Sequence, residues 1–131
     1  MKMEFLDATD AGMYPDASPK FLVRLSDFAD SEKLELIKLM QENLLEENKP
    51  LILHQLPFIQ AINCSVAFHT ALEDQGLIKT GSKNEFSCLL TSSSFQDMID
   101  IIGNVDSGYN WLTPGEYLDE PAFLISKYGT W

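Results

Sequence analysis

The sequence predicts a single α+β domain with three helices and a small mixed sheet that includes a hairpin at about residues 77–91. The chain has 131 residues, which suffices for one hydrophobic core. Its apolar residues recur with helical spacing in some segments and alternate in others. We expect residues 1–19 to form a flexible or draped arm, because glycine and prolines interrupt them without a sustained period. Residues 20–131 should form the domain.

Two elements are expected at the start of the domain. In KFLVRLSDF, Phe21, Val23 and Leu25 alternate with other residues, which is typical of a strand with one buried face. The following DSEKLELIKLMQENLLEEN has a stripe of apolar residues at helical spacing, and Asp30 stands where a helix cap is expected. This segment predicts an amphipathic helix. The next stretch, LILHQL at residues 51–56, fits either a short buried strand or a short helix.

A central helix is predicted from Pro57 to Gly76. Proline suits the first turn of a helix, and Gly76 suits the left-handed conformation that closes one. Apolar residues between them fall on nearly every face, which is typical of a helix inside the domain. The segments LIKT and EFSCLLT, separated by GSKN, then predict the hairpin.

A third helix and a last strand are predicted in the remaining part of the chain. Ser94 precedes four apolar residues at helical spacing, and Gly103 follows them. These four residues are Phe95, Met98, Ile99 and Ile102. The segment AFLISKY near the end predicts the final strand.

The net charge is the most informative property of the amino-acid composition. Nine Lys and Arg residues against twenty Asp and Glu residues give −11 at pH 7. A field of this sign repels nucleic-acid phosphates and anionic membranes and attracts basic proteins. We therefore expect a basic protein partner, with solubility alone as the other interpretation. No apolar run reaches the length of a membrane span and the first residues do not resemble a secretory signal, so a cytoplasmic protein is expected.

No catalytic motif, phosphate-binding loop or metal-ligand spacing is present in the sequence. Cys64 and Cys88 are predicted to be free thiols in the core, since two cysteines do not make a disulfide scaffold or a cysteine zinc site. We predict no catalytic residue, no metal and no cofactor. A small enzyme whose site joins one of these thiols to His54 or His69 is an alternative.

The run SVAFHTALEDQGLI and the hairpin after it, residues 65–91, resemble the recognition helix and wing of winged-helix transcription regulators. The matching residues are Leu72, Glu73, Gly76, Leu77 and Ile78. The resemblance implies a regulator that acts through protein contacts or DNA. Glu73 and Asp74 stand where basic residues would meet phosphates, which favours protein contacts.

The last third of the chain combines aromatic and acidic residues, a composition that suits a protein interface. We predict that the partner-binding residues are Asp106, Tyr109, Trp111, Glu116, Asp119, Glu120 and Trp131. The two tryptophans should be at least half exposed, whereas Tyr117 and Phe123 should cover the core. The predicted function is a noncatalytic acidic protein-binding domain. An inhibitor or immunity-type protein that occludes a basic surface of a toxin or nucleic-acid-handling protein fits this description.

Overall fold

The computed structural model describes residues 1–7, 21–81, 84–113 and 121–129. Within these ranges the chain forms two mixed sheets and two α-helices. This confirms the predicted α+β class and a single small domain. The prediction of three helices is wrong.

The strands and helices have the following bounds. The strands are β1 (Lys2–Asp7), β2 (Phe21–Ser26), β3 (Leu51–Ile52), β4 (Gln60–Ala61), β5 (Ser65–Thr70), β6 (Gly76–Lys79), β7 (Glu85–Leu90), β8 (Tyr109–Thr113) and β9 (Ala122–Ser126). The α-helices are α1 (Asp30–Met40) and α2 (Ser92–Gly103). A π-helical segment, Gln41–Glu46, continues α1, and a 3-10 turn, Leu53–Gln55, follows β3.

The larger sheet has five strands in the order β4-β1-β2-β9-β8. The central strand β2 is antiparallel to β1 and parallel to β9, and β8 is antiparallel to β9. Val23 and Leu25 are buried on one face of β2 in the main core, as the alternation predicts. The other face is buried too, because Leu22 joins a second, smaller apolar cluster and Ser26 is covered, so the prediction of a single buried face is wrong.

The smaller sheet has four strands in the order β3-β5-β7-β6. Strand β7 is parallel to β5 and antiparallel to β6. The pair β6–β7 is the hairpin that the sequence predicts at about residues 77–91, so this prediction is confirmed.

The predicted central helix from Pro57 to Gly76 does not exist. Residues 65–70 of that segment form β5, in which Val66 and Phe68 alternate into the core. Because β5 has neighbours on both sides, it is apolar enough to resemble an interior helix. The recognition helix implied by the winged-helix resemblance is therefore absent, although Gly76 does adopt a positive φ of 78° at the start of β6.

The first residues form a strand where the sequence predicts an arm. Lys2–Asp7 pair with β2 along six positions, and Met3 is fully buried. This strand has three apolar residues among six, too short and too mixed a run for periodicity to identify. Residues 8–19 of the predicted arm lie outside the described residues.

The predicted helix is confirmed as α1 and its π-helical continuation, but the prediction that Asp30 caps it is wrong, since Ala29 is the N-cap and Asp30 is the first helical residue. The buried face consists of Lys33, Leu36, Met40 and Leu44, whereas Leu34 is largely exposed. LILHQL is divided between the two structures that its pattern allows, since two residues form β3 and the next three form the 3-10 turn.

Helix α2 is also confirmed, and all four of its predicted apolar residues are buried. It begins two residues earlier than Ser94, because Thr91 is the N-cap and its Oγ1 accepts a hydrogen bond from the Ser94 N–H at 3.2 Å.

One core joins the two sheets and the helices. The Phe68 ring of β5 lies 5.4 Å from the Phe95 ring of α2 and 5.8 Å from the Phe123 ring of β9, measured between centroids. Phe123 is fully buried, as predicted. Neither described helix has the length and apolar composition that crossing a membrane requires.

Candidate protein-binding surface

The strand register brings two of the predicted binding residues to one end of the five-stranded sheet. Lys2, Ser26, Ser126 and Tyr109 lie side by side on four adjacent strands. The connection that carries Asp106 and the turn after β9 consequently meet at this end.

We call the residues there the tyrosine–carboxylate surface: the exposed Asp30, Asp106, Tyr109 and Tyr128, and the mostly covered Lys127. Tyr109 is 45% exposed and Tyr128 is 63% exposed. The Lys127 Nζ donates to Asp30 Oδ1 at 2.8 Å and lies 5.7 Å from the centre of the Tyr128 ring. Two tyrosine rings, two carboxylates and one lysine thus lie at this end of the sheet.

The charges of this surface largely cancel. The hydrogen bond with Asp30 raises the pKa of Lys127, and the same hydrogen bond lowers the pKa of Asp30, so both groups are ionised at neutral pH. Asp106 has a 91% exposed side chain, and its Oδ1 lies 3.9 Å from the buried Nζ of Lys33. Each carboxylate therefore has a lysine near it, which weakens its attraction for a basic partner.

The remaining predicted binding residues are not assembled at this end. Trp111 is mostly covered, because it packs against the smaller apolar cluster and its ring meets Tyr109 edge-on at 6.1 Å. The prediction that Trp111 is at least half exposed is wrong, since the alternation within β8 turns this side chain onto the sheet. Predictions for Glu116, Tyr117, Asp119, Glu120 and Trp131 lie outside the described residues.

A second feature, which we call the acidic cleft, lies beyond the other end of β8. It has a volume of about 470 Å³ and lies between α2, the loop before β6 and the end of β8. Asp74, Ser94, Asp97 and Thr113 give it polar groups. Its apolar lining includes Leu77, Leu90, Met98, Ile101 and Leu112.

Asp74 fixes the rim of the acidic cleft. One of its carboxylate oxygens accepts the Thr91 N–H at 2.8 Å and the other accepts the Ser94 hydroxyl at 2.6 Å. The bond from Ser94 and then the bond from Thr91 lower the pKa of Asp74, so its charge persists at mildly acidic pH. The loop carrying Asp74 is thereby joined to the start of α2.

The acidic cleft differs from the tyrosine–carboxylate surface because the carboxylates in it and next to it lack counter-ions. Asp74 and Asp97 line the cleft, Glu73 precedes Asp74 on the loop, and Asp100 lies three residues after Asp97 on α2. Across the ranges that the structure describes, none of these four carboxylates forms an ion pair. Leu72, next to Glu73, is 99% exposed. Four uncompensated negative charges and an exposed apolar side chain suit contact with a basic protein.

Sequence reasoning missed this cleft for an identifiable reason. The spacing of Asp97 and Asp100 on a helix is evident from the sequence. Asp74 belongs to a segment predicted to be helical, and a loop that folds back onto the start of α2 follows only once β5 and β6 are known.

The two thiols are set in surroundings that suppress their reactivity. Burial raises the pKa of Cys88 to about 12, and burial together with the charge of Glu4 raises the pKa of Cys64 to about 11. Among the described residues, no group of three or more His, Cys, Asp or Glu side chains is arranged to hold a metal ion.

Comparison of the chain with protein-family models gives no match, and comparison with curated proteins gives none either. The class that the fold and the surface define is a small α+β domain with an acidic cleft.

Proposed function

We propose that this protein is a noncatalytic protein-binding domain whose partner presents a basic surface. The observation that carries the proposal is the acidic cleft, where the lining residues Asp74 and Asp97 have no counter-ion within the described part of the chain, and neither have their neighbours Glu73 and Asp100. An inhibitor or immunity-type protein that occludes a toxin or a nucleic-acid-handling protein would act in this way. We also propose that the protein acts in the cytoplasm.

The negative charge of the protein would raise the rate at which the two proteins associate. A net charge of −11 attracts a basic partner over a distance of about one Debye length, roughly 8–10 Å at physiological salt. Uncompensated carboxylates raise the association rate, and this effect falls as salt is added. Apolar and aromatic groups slow dissociation. Leu72 beside the acidic cleft, and Tyr109 and Tyr128 on the tyrosine–carboxylate surface, are the exposed groups suited to that role.

The proposal is tested by affinity capture from a lysate of the source organism at low salt, followed by elution with a salt gradient. The captured protein is then purified, and its association rate and Kd are measured directly. We expect a basic protein whose association rate falls steeply with salt. An acidic partner, or binding that salt does not weaken, would contradict the proposal.

Charge-matched variants locate the binding surface. Replacing Asp97 and Asp100 together by Asn should lower the association rate at low salt by about tenfold, because the steering charge is lost. Replacing Glu35 and Glu46 together by Gln, two exposed positions on α1 and the π-helical segment, changes the net charge equally and should have less than about a twofold effect. Equal effects of the two double variants would show that net charge alone acts, without a site.

A second pair of variants tests the residues predicted from the sequence. Tyr109→Ala with Tyr128→Ala removes the two exposed rings of the tyrosine–carboxylate surface. Leu34→Ala with Ile62→Ala removes two other exposed apolar side chains, 60% and 47% exposed, and serves as the control. Faster dissociation of only the tyrosine variant would place that surface in the interface as well. Unchanged dissociation would exclude it.

A further inference from the structure

The outer edge of β6 is a hydrogen-bonding edge that no strand of the described residues uses. In the antiparallel pair β6–β7, the Thr80 N–H donates to the Glu85 carbonyl at 2.8 Å. Hydrogen-bonded positions alternate along such a pair, so Ile78 also bonds toward β7, while Leu77 and Lys79 direct their N–H and C=O groups away from it. Strand β6 is at the end of the strand order, and no other described strand pairs with it.

This edge runs directly into the acidic cleft. Leu77 lines the cleft together with Asp74 and Asp97. The face of β6 at Gly76 is open, because a side-chain carbon placed there would meet no atom of the described residues within 4 Å. The end of β6 nearest the two carboxylates is therefore not covered on that face by the described part of the chain.

A buried acceptor also lines the acidic cleft. Thr113 is only 4% exposed, and its Oγ1 has no hydrogen-bond partner in the part of the chain that the structure describes. A buried hydroxyl without a partner costs free energy. Because the Thr113 Oγ1 is closed to solvent, a donor in the cleft would recover that free energy once the side chain turns toward it. Lysine and arginine side chains carry only donors at their ends.

We propose that an extended segment of the partner adds to the edge of β6 as a fifth strand of the smaller sheet and places a lysine or arginine in the acidic cleft. The proposal rests on the proposed function, since it takes the partner to be basic. The segment exchanges backbone hydrogen bonds with Leu77 and Lys79, as in other cases of strand addition. Its basic side chain lies at the Leu77 end, because Lys79 repels a cation at the other end.

Charge decides between this occupant and a second copy of the same chain. Two copies joined through β6 would bring together two clefts that each contain Asp74 and Asp97, on molecules that each carry −11. Like charges at an interface oppose association, whereas a basic segment neutralises them. The geometry therefore favours a different, basic protein.

A defined peptide tests strand addition without the natural partner. The probe is a hexapeptide of alternating valine and threonine with lysine at its first position, titrated into the whole isotope-labelled protein. We expect the NMR amide signals of Leu77 and Lys79 to shift and their hydrogen exchange to slow. Two methylated peptides are compared, one with methyl groups on the backbone nitrogens of the odd residues and one with methyl groups on those of the even residues. Only one of the two should lose binding, because only one edge of the peptide faces β6. No shift at these two amides, or equal binding of both methylated peptides, would overturn the proposal.

Two substitutions at one position separate the backbone of β6 from its side chains. Lys79→Pro removes an outward N–H without removing a hydrogen bond to β7, and it should weaken peptide binding about fivefold relative to Lys79→Ala, which keeps that N–H. Equal affinities would contradict strand addition. Sedimentation of the free protein provides a further check, because a dimer lost in Lys79→Pro would mean that a second copy occupies the edge.

The two proposals can fail separately. A captured basic partner that binds Lys79→Pro and Lys79→Ala equally would leave the proposed function standing and overturn strand addition. A hexapeptide that binds through β6 while no basic protein is captured would support the strand-accepting edge and contradict the proposed function.

Discussion

Lys33 is a cation buried between the two helices. Its Nζ donates to the carbonyls of Gly103 at 3.4 Å and Val105 at 3.3 Å, which follow the last turns of α2. Carbonyls at the end of a helix lack partners within it, and a lysine supplies both a donor and a favourable charge there. Lys33 therefore joins the start of α1 to the end of α2.

Replacing Lys33 by Met should lower the free energy of unfolding by about 1–3 kcal/mol, because two carbonyls lose a donor in a site closed to water. The control is Lys38→Met on the same helix, where the side chain is exposed and the cost should stay below about 0.5 kcal/mol. Urea unfolding of both variants measures the difference. Equal losses would mean that the hydrogen bonds of Lys33 do not stabilise the fold.

Both thiols should react slowly in the folded protein. With a pKa of about 11 for Cys64 and about 12 for Cys88, almost no thiolate exists at pH 8. Native alkylation by iodoacetamide should therefore be at least about 100-fold slower than alkylation of the unfolded chain, as followed by mass spectrometry. A native thiol that reacts as fast as an unfolded one would favour the enzyme alternative.

Elements with one buried face could be predicted from the sequence. Helical spacing in α1 and α2 states which face is covered, and a turn signal marks the pair β6–β7. Alternation identifies β2 as a strand, but its other face, with Leu22 and Ser26, is buried as well. Strand β5 was mistaken for part of a helix because the apolar residues from Pro57 to Gly76, taken together, fall on nearly every face of a helix, although β5 itself alternates. A usable signal was present, since Val66, Phe68 and Thr70 are β-branched or aromatic residues two positions apart.

Helix α2 depends on a residue far from it in the sequence. Asp74→Ala removes acceptors from Thr91 and Ser94 and should lower the free energy of unfolding by about 1 kcal/mol at pH 7, the usual effect of losing a cap. The control is Asp97→Ala, because Asp97 lies on α2 itself and does not form those two hydrogen bonds.

The effect of Asp74→Ala should also depend on pH in one direction. The pKa of Asp74 is lowered in the folded protein, so its contribution is complete above the unfolded pKa of about 4 and disappears as pH falls through the folded pKa. Unfolding measured from pH 7 down to pH 3 should therefore show the variant and the wild type converging. A constant difference would mean that the charge of Asp74 does not matter.

The whole molecule carries more negative charge than its ion pairs neutralise. Self-repulsion of a net charge of −11 opposes the compact state, and salt screens it. Raising NaCl from 20 to 500 mM should increase the thermal midpoint by about 2–5 °C in a melting experiment at pH 7. The variant with Glu35 and Glu46 replaced by Gln should gain less. A midpoint that falls with salt would show that attractive ion pairs dominate.

The candidate site was predictable only where its residues are close in the sequence. Asp106 and Tyr109 lie three positions apart and do occupy one exposed end of the sheet. Lys127 and Tyr128 reach the same end because β9 pairs with β8, and the acidic cleft joins residues from the loop before β6, from α2 and from β8. Strand order decides both assemblies, and local patterns of residues do not encode it.

The position of β2 also has a kinetic consequence. Leu22 pairs on one side with Leu6 and on the other with Ala122, one hundred positions later in the chain. The central strand of the larger sheet therefore stays half paired until the last strand has left the ribosome. Contacts between such distant positions slow folding, because a long loop must close before they form. We expect this domain to fold only after β9 has left the ribosome, and more slowly than a helical protein of its length.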